Sequence, residues 1–203
     1  MPEVLSSHYK VKKINAFNKM FKKLTSLELG RPSGDEYKRI GKMPVVVVLD
    51  NIRSQHNIGS AFRTSDAFLV EKIVLCGICA VPPSSEIHKS ALGAEFSVEW
   101  SYREKSVEAV EELRSAGYII IGVEQVSGSK ELGEVVMEGD KKYALVFGNE
   151  VKGVSQEVVD MCDLCIEIPQ WGTKHSLNVS VTMGIVLWDF MSRRLKLKYL
   201  KEY

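Results

Sequence analysis

The run VVVVLD at residues 45–50 constrains the fold more than any other stretch. Four β-branched residues in succession, with no polar alternation, suit an interior strand covered on both faces, as in a parallel sheet flanked by helices. Pro44 opens this body. Two later runs of buried-strand composition, 144–147 and 164–168, are each followed by a polar, glycine-containing loop and then by a segment of helical period. Between them and the valine run, the pattern predicts a helix over 57–68 with Asn57 as its N-cap, and a strand over 72–76. A short helix over 85–92 follows the turn at Pro82 and Pro83, then a strand over 96–100, a helix over 103–116 and a strand over 118–123. The last helix runs from Asn178 to beyond Met191. Six strands interleaved with helices predict an α/β fold with a mostly parallel six-stranded sheet.

In such a sheet the loops after the strand C-termini meet at one edge, where ligands bind. That brings Gly148, Asn149 and Glu150 to face residues 169–178, a loop rich in polar groups: Gln170, Thr173, Lys174, His175, Ser176 and Asn178. Residue by residue, a purely structural account is as good, because Ser176 and Asn178 are good helix N-caps and Gly148 and Gly172 good turn residues. Several chemistries are excluded. No G-x-G-x-x-G follows the first strand, and GNEVKGVS has Val154 where a phosphate-binding loop needs lysine. His175 and Ser176 are adjacent, with no nucleophile-elbow sequence to make them a base and nucleophile. Cys76/Cys79 and Cys162/Cys165 form two C-x-x-C pairs, but their separation far exceeds the ~15–20 residues of a zinc knuckle pair. Free buried thiols in a reducing compartment are the expectation, with no metal.

Taken together, the segments NIRSQHNIGSAFRTSDAF, FGNEVKGVS and IPQWGTKHSLNVSV resemble the three motifs of the SpoU/TrmH family of RNA ribose 2'-O-methyltransferases, part of the SPOUT or α/β-knot superfamily. They occur in the family's order, and the likeness extends from about Pro44 to Met191. The resemblance implies a C-terminal trefoil knot, a homodimer with the last helix in its interface, and S-adenosylmethionine as cofactor. It places the cofactor against Gly148, Ile168 and Leu177. An adenine needs an apolar slot with backbone donors and acceptors, which these residues and Gly172 can provide; Val123 and Glu124, at the end of the preceding strand, are further candidates.

The family's functional residues map onto Asn57, Arg63, Glu150, Ser176 and Asn178. The matching arginine is assigned to activation of the ribose hydroxyl. Because arginine stays protonated, Arg63 is better suited to fixing the adjacent phosphate and stabilising the developing alkoxide; the alternative is an ion pair with Asp66 one helical turn on. Glu150 either orients Arg63 or caps loop amides, and Ser176 and Asn178 hold the loop's shape. Trp171 departs from the family pattern, and its indole either covers the cofactor or stacks on a target nucleotide.

Charge is segregated along the chain. Residues 1–43 hold ten Lys/Arg against four Asp/Glu, residues 44–191 twelve against twenty-one, and residues 192–203 five against one, giving +6, −9 and +4. Two domains are expected: a basic helical extension over 1–43, and a methyltransferase domain over 44–203 that ends in the dimerisation helix and a basic tail. In the extension, a helix over 9–29 puts Ile14, Phe17, Phe21 and Leu24 on one face and leaves Lys12, Lys13, Lys19, Lys22 and Lys23 to meet RNA phosphates. The final helix is apolar nearly all round, more than one sheet face can cover, which again points to a second subunit. No apolar run is long enough to cross a bilayer and no secretory leader is recognisable, so a soluble cytoplasmic protein is expected. tRNA and rRNA are not separable as substrates. A dimeric RNA-binding protein that keeps the fold without catalysis is the alternative from another class, and base methylation is the less favoured chemistry.

Overall fold

In the computed structural model, which describes residues 21–201 apart from 26, 137, 139 and 140, the valine run forms most of β1 (Met43–Asp50). Val45, Val47 and Leu49 enter one hydrophobic core and Val46 and Val48 another, none more than 1% exposed. Burying each such side chain is worth ~1.5–3 kcal/mol, so neither face of the strand tolerates a polar residue. β1 is preceded by α1 (Gly34–Arg39) and followed by α2 (Gln55–Ala67), β2 (Val70–Cys76), α3 (Ser85–Ala91), β3 (Trp100–Arg103) and α4 (Ser106–Ser115). Then come β4 (Tyr118–Val123), β5 (Lys130–Glu131), β6 (Lys142–Phe147), α5 (Gln156–Val159), β7 (Leu164–Glu167) and α6 (Val179–Lys201). The strands make one sheet in the order β3-β2-β1-β6-β4-β7-β5, and every pair is parallel. Helices flank it, as expected of an α/β fold. The trefoil that the resemblance implies is not visible in this order and pairing.

The sheet has seven strands where six are expected. The extra one, β5, is a two-residue edge strand beside β7 with both residues exposed, so it leaves no hydrophobic mark in the sequence. The third strand begins at Trp100 and not at Phe96, because Phe96, Ser97 and Val98 spend their backbone N–H groups on a 3-10 turn, donating to Gly93 and Ala94 carbonyls. α2 starts two residues earlier than its pattern suggests. Its N-cap is Ser54, whose hydroxyl accepts from the Asn57 N–H, and this frees the Asn57 side chain for other partners.

The chain divides into two units, Met1–Ser33 and Gly34–Tyr203. The larger one starts before Pro44, since Tyr37 and Met43, 4% and 6% exposed, belong to its core. In the smaller unit, Lys12, Lys13, Lys19, Ile14 and Phe17 lie outside the described residues. Residues 21–25 are not helical and 27–30 form a turn, so the expected helix does not reach Leu29. The Glu28 carboxylate accepts from the Thr25 N–H and hydroxyl and from Lys22, a local closure that competes with helix. Lys22 is therefore paired, and Phe21 is fully in solvent at 99%.

α6 buries Met183, Val186, Leu187 and Phe190 completely against the body. Its other face exposes Val181, Ile185 and Trp188, one stripe at helical spacing. Arg193 anchors the helix further, donating to Asp189 and to the carbonyls of Leu132 and Val135. Among the described residues no helix is long and apolar enough to cross a membrane.

Candidate functional site

The parallel register brings the C-terminal ends of four strands together. Leu49 of β1 and Val123 of β4 both align with Phe147 of β6, and Val123 also aligns with Ile166 of β7. The segments that follow these strands converge, and three of them enclose a cleft of about 470 Å³.

The loop after β6 is shaped by close backbone contacts. A Cβ on Gly148 would lie 2.0 Å from the Val154 nitrogen, and one on Gly153, at φ +69°, would lie 2.2 Å from Glu124 Oε2. Only glycine fits either position. The loop folds back on itself through paired bonds between the backbones of Asn149 and Gly153, while Asn149 Oδ1 accepts from the N–H groups of Val151 and Lys152. Its far end is fastened by two carboxylates. Glu124 accepts from the Val154 N–H at 2.8 Å. Asp50, at the end of β1 and 1% exposed, accepts from the N–H and hydroxyl of Ser155, both at 2.9 Å, and from Ser106 and Asn51. A buried carboxylate is tolerable when its lone pairs are filled in this way.

Glu150 joins this loop to the segment after β1. Its oxygens accept from the backbone N–H groups of Arg53 and Ser54, each at 3.1 Å, and from Asn57 Nδ2 at 3.0 Å. Asn57 Oδ1 in turn accepts from Asn178 Nδ2 at 3.2 Å, and Asn178 Oδ1 caps α6 by accepting from the Ser180 N–H and hydroxyl. One chain of hydrogen bonds thus links all three sequence segments singled out above. Burial alone would raise the Glu150 carboxyl, but the bonds from Arg53, Asn57 and Ser54 outweigh it and hold it below its ordinary value. Of the two roles open to Glu150, the geometry gives loop capping.

The cleft is lined by Val123, Glu124, Gly148, Glu150, Ile168, Ser176, Leu177 and Asn178, eight of the eleven candidate catalytic and cofactor residues. Asn57 does not line the cleft and is tied to it through Glu150 and Asn178. Gly172 is not brought in: it is exposed, with open space around it. Arg63 is also outside the lining, exposed on α2, and forms no ion pair with Asp66. It lies six residues beyond Asn57, ~9 Å along the helix axis.

Several lining residues lie outside the candidate set read from the sequence. Phe147 and Ile166 supply apolar floor from strand ends, Lys152 and Gln125 reach in from loops, and Gln125 Nε2 donates to the His175 carbonyl at 3.2 Å. Asp50 was detectable only as a charge closing an apolar run. The cysteines are free, and burial pushes the Cys76 and Cys162 thiols up to about 12. Protonated thiols are poor nucleophiles and ligands. Among the described residues, no group of three or more His, Cys, Asp or Glu is placed to hold a metal.

The cleft is composed like a nucleoside site. Ile168, Leu177, Phe147 and Val123 form apolar walls, the Gly148 backbone is bare, and Glu124 and Glu167 offer carboxylates to hydroxyls or a cationic centre.

Comparison with known proteins gives consistent matches. The family model described as the SpoU rRNA Methylase family matches residues 44–188. The 23S rRNA (guanosine-2'-O-)-methyltransferase RlmB of Neisseria meningitidis serogroup B is 30% identical over 161 residues, 79% of this chain and 63% of that protein. Among solved structures, the TrmH/SpoU tRNA modifying enzyme of A. aeolicus has a TM-score of 0.72 at 27% identity, with 81% of this chain and 84% of that one covered. The AdoMet-bound rRNA methyltransferase of Sinorhizobium meliloti has a TM-score of 0.69 at 26% identity, with 78% and 60% covered. The chain spans about 60% of the length of the curated relatives it matches.

Proposed function

The chain belongs to the SpoU rRNA methylase family, and from that premise we propose that it transfers a methyl group from S-adenosylmethionine to a ribose 2'-hydroxyl of tRNA or rRNA. The observation that carries this reading is the bonded series Glu150, Asn57 and Asn178 at the lip of a cleft with the composition of a nucleoside site.

The residues present fit the cofactor. Ile168, Leu177, Val123 and the Gly148 backbone would hold its adenosine, and Glu124 shapes the slot by fixing the Val154 N–H. When bound, S-adenosylmethionine supplies an electrophilic methyl group on a positively charged sulfur. The chain's own part is to position the ribose and relieve the charge on its oxygen. Glu150 is a poor proton acceptor, with its oxygens already taken by three donors. Arg63, exposed on α2 with no ion pair among the described residues, would fit the adjacent phosphate and the developing alkoxide, with the proton passing to phosphate or water. Asn57, Ser176 and Asn178 keep the converging segments in register.

The active form in this reading is a homodimer joined through the exposed stripe Val181, Ile185 and Trp188. Light scattering tests that, with a mass near one chain counting against it. Lys12, Lys13, Lys19, Lys23 and the basic tail would add phosphate contacts, with Lys22 joining them only by leaving Glu28, and the compartment is the cytoplasm, with its RNA. The deciding experiment is transfer of labelled methyl to fractionated total RNA, followed by nucleoside mass spectrometry. The added mass is expected on the sugar; a methylated base or no transfer overturns the proposal.

A further inference from the structure

Trp171 occupies the turn between β7 and α6, and its surroundings place it at the edge of the cleft and not within it. Gln170 on one side and His175 on the other line the cleft, whereas Trp171 does not and is 92% exposed. Its indole makes no hydrogen bond or ring contact among the described residues, and the neighbouring Gly172 meets nothing within 4 Å. A tryptophan side chain is thus held out in water beside the cleft. A tryptophan so placed forfeits the burial that normally accounts for its presence.

The charges nearby indicate what would cover it. Residues 169–178 contain Lys174 and His175 but no carboxylate, and Lys152 lines the cleft from the loop after β6. The cleft's carboxylates, Glu124, Glu150 and Glu167, lie on other segments. An aromatic face on a loop that carries Lys174 and no carboxylate, with Lys152 on the loop after β6, matches a single-stranded nucleic acid, whose bases stack while its phosphates pair. The cofactor does not call for it, since the reading above assigns the adenosine to lining residues alone.

We propose that Trp171 is a stacking platform for a nucleobase of the RNA substrate, within one nucleotide of the methylated ribose. This rests on the methyl-transfer reading above. A ribose entering the cleft to meet the methyl donor leaves its base, or that of its neighbour, at the rim, and Trp171 is the aromatic surface there. The required base is unpaired, so the substrate is a loop, bulge or end and not a continuous duplex.

Two measurements test it on the full chain. Tryptophan fluorescence is titrated with a short single-stranded RNA, comparing wild type with Trp171→Phe, since both keep Trp100 and Trp188. Stacking predicts a quench in wild type that Trp171→Phe lacks. In methyl transfer, Trp171→Ala should raise KM for RNA by roughly 5- to 100-fold, leave kcat and S-adenosylhomocysteine affinity within about twofold, and be largely rescued by Trp171→Phe. Wild-type transfer with no quench and an unchanged KM overturns the inference and leaves the methyl-transfer reading standing, whereas absence of transfer in wild type removes that reading itself. Loss of cofactor affinity in Trp171→Ala would make the indole a cofactor cover, and a shift to a smaller particle would make it an interface residue; either outcome also overturns it.

Discussion

The side-chain amide of Asn57 donates to Glu150 at 3.0 Å across 93 positions of sequence, and this single bond ties the start of α2 to the loop after β6. It exists because Ser54, not Asn57, caps α2. The cap leaves the Asn57 amide free to donate to Glu150 and accept from Asn178.

Glu150→Gln tests that tie. An amide keeps one acceptor and turns a donor toward the N–H groups of Arg53 or Ser54, so one backbone donor loses its partner, at a cost of ~1–3 kcal/mol. Methyl transfer is expected to fall by ~10-fold or more, measured as kcat/KM. The pH dependence has a definite sign. The folded carboxyl lies below its ordinary 4.5, so its contribution to stability is complete above that value and is lost as pH falls through the lower folded value. Thermal melts from pH 6 downward should show less acid destabilisation in Glu150→Gln than in wild type.

Gly148→Ala and Gly172→Ala should part company, although both glycines read alike in the sequence. The first places a Cβ 2.0 Å from the Val154 nitrogen and 2.1 Å from the Gly153 carbonyl carbon, and the second meets nothing. Gly148→Ala is expected to displace the loop at a cost of ~1–3 kcal/mol and to abolish S-adenosylhomocysteine binding in calorimetry. Gly172→Ala is expected to bind as wild type does.

Asp50→Asn probes the buried anchor. It exchanges an acceptor oxygen for a donor amide among the donors of Ser155, Ser106 and Asn51. A loss of ~2–4 kcal/mol is expected from the denaturant midpoint, together with weaker cofactor binding, since Ser155 ends the loop proposed to hold the cofactor.

Arg63→Ala should separate chemistry from binding. Arg63 is exposed and outside the cleft lining, so melting temperature and cofactor affinity should stay unchanged while transfer falls ~100-fold or more. Lysine keeps the charge without the forked geometry and should rescue poorly. Full activity in Arg63→Ala would remove the residue from the mechanism.

How much of this was readable in the chain depends on where each residue spends its surface. The strand over 118–123 coincides with β4, and the valine run falls within β1, because uninterrupted apolar composition reports burial on two faces. β5 was illegible because an exposed two-residue edge strand buries nothing. β3 was misplaced because FSVEW has strand composition while its backbone is consumed by a 3-10 turn. At the site, Gly148, Ile168 and Leu177 were readable from motif likeness and do line one cleft. Asp50 and Gln125 were not, since their roles arise from contacts across the fold and leave no local pattern.

The alternation of β1 between two cores has a consequence for how the protein tolerates change. Val46 and Val47 share a peptide bond, yet one packs in the cluster with Ala144 and Val146 and the other in the cluster with Leu145 and Phe147. The sheet insulates one layer from the other, so a loss of volume at Val46 is felt by Ala144, distant along the chain, before it is felt by Val47. Sites with no shared packing partners add their effects, while sites within one packed layer couple. Compensating substitutions should therefore arise across strands within a layer, and each face of the sheet can drift in composition independently of the other.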